Sequence, residues 1–101
     1  MTLGVMIDVS APVETYDAMH AALLERIGTA VDGLLVHLTR QTADGFQVIE
    51  VWESREEFEH QTRELLGPVF ADVLRGQAPP AQVVTEFDVR GLVLPRAGIA
   101  V

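Results

Sequence analysis

Hydrophobic residues recur with a period of two in four stretches of this chain and with a period near 3.6 in two others. Leu3, Val5, Ile7 and Val9 alternate with Gly4, Met6 and Asp8, which predicts a strand over 3–9. Ser10-Ala11-Pro12 then opens a helix, with a hydroxyl placed to cap it and a proline tolerated in the first turn. Val13, Tyr16, His20, Leu23, Leu24 and Ile27 form its apolar stripe, and Gly28 is a natural stop. Strands are predicted over 34–40 and 46–52, joined by the turn Thr42-Ala43-Asp44-Gly45. Ser54-Arg55-Glu56-Glu57 is a capping-box pattern for a second helix, whose stripe runs through Phe58, Thr62, Leu65 and Leu66. Gly67-Pro68 should break or kink that helix before Val69, Phe70, Val73 and Leu74 carry the stripe to Gly76. A fourth strand follows over 81–89, with Val83, Thr85, Phe87 and Val89 on one face.

The order β-α-β-β-α-β predicts an α+β, ferredoxin-like fold with a four-stranded antiparallel sheet over residues 1–90. Residues 91–101 form an apolar tail interrupted by Gly91, Pro95 and Gly98. Two helices cover one face of such a sheet, yet both faces carry apolar residues. A second copy, packed sheet to sheet in a two-fold homodimer, is the simplest cover, and the tail could reach across to it.

Composition narrows the function. Seven basic residues against 15 acidic ones leave a formal charge of −8, which argues against a nucleic-acid or anionic-membrane partner. The absence of cysteine removes disulfides, thiolate metal sites and thiol nucleophiles. No apolar run reaches the roughly 18 residues of a membrane span, and no export signal is visible at the N-terminus, so the expected location is the cytoplasm.

Candidate chemistry concentrates on the central hairpin and the first helix. An even-length turn after strand two places Leu35, His37 and Thr39 on the same face as Val48, Glu50 and Trp52. His37 beside Glu50 reads as an acid–base group oriented by a carboxylate, with Trp52 as a flat wall for a planar ligand. The same pair reads more readily as a satisfied polar contact in a dimer interface, because structural ion pairs mimic active sites. His20 lies one turn after Tyr16 on the inward stripe, either as a proton acceptor on a pocket wall or as a core histidine bonded to a carbonyl. Thr39, Met6 and Phe58 are candidate lining residues. His60, flanked by Glu56 and Glu64, reads as a solvated helix face. Asp8 reads as a strand-end carboxylate helping Ser10 to cap the first helix. No metal triad or nucleotide loop of glycines is present.

The run Asp32-Gly33-Leu34-Leu35-Val36-His37, a polar turn, and Gly45-Phe46-Gln47-Val48-Ile49-Glu50-Val51-Trp52-Glu53-Ser54-Arg55-Glu56-Glu57-Phe58 resembles the antibiotic-biosynthesis-monooxygenase superfamily, and among its members the short actinobacterial ones. The resemblance implies a dimeric α/β barrel with a ligand pocket between helices and sheet, often lined by the tryptophan that Trp52 matches. Haem-degrading members place a histidine late in the second helix region, where this chain has Phe70 and Ala71. The activity so implied is a cofactor-free monooxygenation of phenolic or polyketide-like compounds, with His37, His20 and Glu50 as the catalytic candidates. Two other readings stay open: a cyclase or isomerase on the same fold, and a non-catalytic binder of a small apolar or aromatic ligand.

Overall fold

Strand β1 (Leu3–Val9), helix α1 (Val13–Arg26), strands β2 (Leu34–Gln41) and β3 (Phe46–Trp52), helices α2 (Arg55–Gln61) and α3 (Gly67–Leu74), and strand β4 (Gln82–Asp88) follow one another in the computed structural model, which describes all 101 residues. The four strands form one antiparallel sheet in the order β2-β3-β1-β4. This is the predicted ferredoxin-like arrangement.

The register explains which residues share a face. Val5 lies between Glu50 and Glu86, and Ile7 between Val48 and Val84, so Leu3, Val5, Ile7, Val48, Glu50 and Trp52 all point to the helix side. Leu3, Val5 and Trp52 are fully buried there, with Phe58 and Leu66 packed on them. Across the hairpin His37 pairs with Glu50 and Thr39 with Val48, as the parity of the turn requires. The alternation fails at one place: Leu34 faces Trp52 while Val36 faces Val51, so Leu35 is an extra residue in a β-bulge.

The 42–45 turn is gripped by its surroundings. Thr42 N–H donates to the Gly45 carbonyl at 2.8 Å, and a side chain at position 45 would collide with the Val9 carbonyl and approach that of Ala11 to 2.7 Å. Only glycine fits beside that backbone.

Three local expectations are corrected. Gly67-Pro68 does not break the second helix: α2 continues through a π-helical turn, Thr62–Leu66, in which Gly67 N–H donates to the Thr62 carbonyl, and then into α3. Proline removes one helical donor and crowds the carbonyl four residues back, and the wider turn accommodates both. The Ser10 hydroxyl makes no cap; α1 starts after Pro12 without a side-chain cap. Asp8 caps nothing either: it accepts a 3.0 Å hydrogen bond from Gln47, whose Oε1 accepts from Arg40 at 2.9 Å, forming a polar ladder across three strands. The Ser54 cap does form, its Oγ accepting from Glu57 N–H at 3.1 Å.

The opposite face of the sheet is bare. Met6, Ile49, Val51, Val36 and Leu38 lie on it, joined by Val83 and Phe87 of β4, where Val83 is 65 % exposed. A monomer of 11.0 kDa is expected to expose about 5,600 Å2. This protomer exposes 6689 Å2 and buries only 10 residues. The excess, about 1,000 Å2, is close to what one partner contributes to a standard interface, about 800 Å2.

The tail is ordered on itself. Val93–Leu94 and Ile99–Ala100 pair as a two-stranded hairpin (β5, β6) around a short 3-10 turn at Pro95–Ala97. Its apolar side chains Val93 and Val101 remain exposed.

Candidate functional site

Helix α1 lies over the edge of the sheet formed by β2 and β3, and none of its residues is fully buried. The looseness has a cause: a cavity of about 350 Å3 separates its C-terminal half from the sheet. Leu23, Leu24 and Ile27 of α1, Leu34 and Leu35 of β2, and Leu66 and Phe70 beyond α2 supply most of its wall. The β-bulge lets consecutive residues Leu34 and Leu35 both reach it, and the π turn brings Leu66 and Phe70 to the same wall. Nine of the fourteen lining residues are hydrophobic; the ionisable ones are His20, His37 and Glu50. That composition, apolar with a few converging polar groups, is the usual one for a small-molecule site.

These ionisable groups belong to one continuous hydrogen-bonded chain. The Trp52 indole N–H donates to Glu50 Oε1 at 3.1 Å. Glu50 Oε2 lies 2.7 Å from His37 Nδ1. His37 Nε2 lies 2.7 Å from the Tyr16 hydroxyl, which lies 3.2 Å from His20 Nδ1. Five residues from α1, β2 and β3 are thus connected end to end. Glu50 is 7 % exposed and Trp52 not at all, so the carboxylate end is deep, while the His37 side chain is 26 % exposed. A buried carboxylate demands partners, and Glu50 has one for each oxygen. The His37–Glu50 pair lies on the helix side of the sheet, away from the bare face where the interface reading would have put it.

The aromatic rings hold the geometry. Tyr16 stacks on His20 and on His37 with centroids 5.3 and 6.1 Å apart, and the two imidazoles are parallel within 3° at 6.0 Å. Buried Phe46 meets the Tyr16 ring at 5.4 Å and fixes it from the side.

The other predicted residues fall elsewhere. Trp52 does not line the cavity; it is core, edge-to-face with Phe58 at 5.6 Å, and reaches the site only through its N–H. Phe58 is core for the same reason. Met6 lies on the bare face, paired with Ile49 and Thr85, and is remote from the cavity. Thr39 shares the face of His37, and its buried hydroxyl has no partner. Leu66 and Phe70 were legible as apolar stripe but not as cavity wall. His60 is exposed on α2. A second, more open depression of about 460 Å3 over Ser10–Pro12 and Thr42–Gly45 is polar and holds no comparable cluster. No group of three or more His, Asp or Glu side chains has the arrangement to hold a metal ion.

No family model matches the chain, and no curated protein matches it in sequence. Solved structures do share its fold. A Caulobacter crescentus protein provisionally described as an antibiotic biosynthesis monooxygenase superposes with a TM-score of 0.66 at 15% identity, over 87% of this chain and 89% of its own. A cofactor-independent oxygenase of Streptomyces nogalater gives 0.59 at 17% identity, over 93% and 95%. A dimeric ferredoxin-like protein of unknown function from Thermobifida fusca gives 0.64 at 10% identity, over 88% and 92%. At these identities the likeness shows the ferredoxin-like architecture alone and leaves the chemistry to the site itself. No helix is long and apolar enough to cross a membrane.

Proposed function

We propose that this protein binds a small, mostly apolar, oxygenated molecule between α1 and the sheet and removes a proton from it with His20. The observation that carries this reading is the partnering of nitrogens. Both nitrogens of His37 are engaged, Nδ1 by Glu50 and Nε2 by Tyr16. His20 uses only Nδ1, so its Nε2 is free on the cavity wall. The reacting base in this reading is therefore His20, while His37 lines the same cavity with both nitrogens engaged.

A phenolic or polyketide-like substrate fits the chemistry. Its flat apolar body would fill the aliphatic part of the cavity, and an acidic C–H beside a carbonyl or aryl ring would meet His20 Nε2. The resulting carbanion can react directly with dioxygen. Overall, a methylene and O2 become a carbonyl and water: one oxygen atom bonds to carbon, the other leaves as water, and the substrate supplies all four electrons. A cofactor is not required by that balance. The fold shared with a cofactor-independent oxygenase supports this version over cyclisation or isomerisation, which begin with the same proton transfer.

The working unit is a homodimer in this reading. Its supports are the bare apolar face, the surplus of about 1,000 Å2 of surface over a monomer of this mass, and two structural neighbours described as dimeric. The C-terminal hairpin, with Val93 and Val101 exposed, would pack on the partner.

The test is oxygen uptake with a panel of anthrone-like and quinol substrates. Turnover by the parent protein and a fall of about 10²–10⁴-fold in kcat/KM for His20→Ala is the expected result. Equal rates for the two proteins would sink the assignment. Binding with no turnover across the panel would select the accessory-binder reading instead.

A further inference from the structure

We infer that the hydrogen-bonded chain is a two-state proton relay, in which a proton accepted at His20 Nε2 is delivered through the Tyr16 hydroxyl to His37 and held there against Glu50. The inference deepens the assignment of His20 as the base and rests on it.

Proton counting along the chain allows two arrangements. In the first, His37 Nδ1–H donates to Glu50, the Tyr16 hydroxyl donates to His37 Nε2, and His20 Nδ1–H donates to the Tyr16 oxygen; His20 Nε2 then carries a lone pair facing the cavity. The distances of 2.7, 2.7 and 3.2 Å accommodate each of these bonds. In the second, every bond between Tyr16 and the histidines is reversed. His37 Nε2–H donates to the Tyr16 oxygen, the hydroxyl donates to His20 Nδ1, and His20 Nε2 carries a proton. One proton added at His20 Nε2, followed by a shift of one proton across each Tyr16 contact, converts the first state into the second. Atoms and charge balance: one proton enters, and one imidazolium forms at His37.

Three features favour that end point. An imidazolium on His37 lies 2.7 Å from a carboxylate that is nine-tenths buried, whereas one on His20 would have only the Tyr16 hydroxyl as its partner. Two parallel imidazoles 6.0 Å apart repel one another when both are charged, so the added charge belongs on one of them and not on both. Tyrosine is the residue type the middle position needs, because a hydroxyl donates and accepts at once. The ionisable residues that line the cavity, His20, His37 and Glu50, all belong to the cluster, and Leu66 and Phe70 on the remaining wall are apolar. Tyr16, His37 and Glu50 are thus positioning residues that act through His20. The arrangement moves positive charge along the cavity wall after each proton abstraction, from His20 to the side of the Glu50 carboxylate.

The experiment needs no ligand, so its outcome is independent of the substrate screen. The free protein, labelled with 15N at histidine, is followed by NMR as the pH is lowered. The expected result is that the first proton gives His37 two N–H groups while His20 exchanges Nδ1–H for Nε2–H and remains neutral. Tyr16→Phe keeps the ring contacts with Phe46 and the histidines but removes the hydroxyl. In that variant the tautomer exchange at His20 should vanish, and each histidine should gain its proton in a separate step. Glu50→Gln removes the charge that holds the proton, and the first proton should then appear on His20. Retained β-sheet amide shifts show that either variant is folded, and Glu50→Gln decides the matter alone if Tyr16→Phe is not. A parent protein in which His20 itself becomes doubly protonated first, or a folded variant that behaves as the parent does, overturns the relay.

Discussion

The contact between Trp52 and Glu50 can be weighed by a double-substitution cycle. Glu50→Leu removes the only acceptor of the Trp52 indole N–H, in a position with no solvent access. An orphaned buried donor costs about 1–3 kcal/mol. The same substitution abolishes the desolvation penalty of a nearly buried carboxylate, which amounts to several kcal/mol before its partners are counted. The two effects oppose each other, so the stability of Glu50→Leu alone is a poor test. Trp52→Phe removes the donor and leaves a void; at about 24 cal/mol per Å3, a void of roughly 40 Å3 costs about 1 kcal/mol beyond the lost hydrogen bond. In the double variant neither donor nor acceptor is left unpaired. The loss of the His37 contact occurs with or without Trp52 and cancels in the cycle. Hydrogen bonds to charged groups contribute about 1.5–3 kcal/mol, so the double variant should be more stable than the sum of the singles by about that amount. Urea unfolding followed by circular dichroism measures it, at one protein concentration because self-association would make stability depend on concentration. Additivity within about 0.5 kcal/mol would refute the claim that the indole is what holds Glu50.

The bare face predicts association: in sedimentation velocity the parent should run as a dimer and Phe87→Glu as a monomer, a monomeric parent would refute the association, and an unchanged dimer would place the interface elsewhere. Gly45→Ala forces a methyl against the carbonyls of Val9 and Ala11 and should destabilise by at least about 1–3 kcal/mol in urea titration. Ser54→Ala removes the α2 cap and should cost about 1 kcal/mol by the same assay. Leu66→Trp should fill the cavity and abolish ligand binding in calorimetry while leaving the His37–Glu50 contact intact.

Much of this was legible in the alternation of residues, and what was not has a common cause. Element order and hairpin parity follow from local signals, which is why His37 and Glu50 can be placed on one face from an even-length turn, and the structure pairs them directly. Tyr16 and His20 are likewise neighbours by helical spacing. Their meeting with His37, 21 residues from Tyr16, depends on how α1 crosses the sheet, and no local pattern encodes a crossing angle. Trp52 illustrates the limit further. Its face was readable, but whether an indole on that face bounds a cavity or fills the core depends on Phe58, which takes the space beside it. Met6 was placed in the site although it alternates with Val5; pairing with Ile49 puts it on the bare face. Gly67-Pro68 predicts a break or a kink, and the pattern of apolar residues contains no hint that a wider helical turn would carry the helix through.

The extra residue at Leu35 separates two halves of strand β2 that answer to different constraints. Downstream of it, His37 is held opposite Glu50 by a tight turn whose glycine is wedged against the β1–α1 backbone. Upstream, the bulge takes up the difference between that fixed pairing and the length of the 27–33 connector. The molecule is therefore asymmetric towards insertions and deletions. A residue added or lost near Thr29–Asp32 can be absorbed by moving or erasing the bulge, with the relay left in place. One residue added to 42–45 would invert the strand and turn His37 out onto the bare face, beside Leu38's present position. The connector is the place where this chain can change length and keep its chemistry, and the hairpin turn is where it cannot.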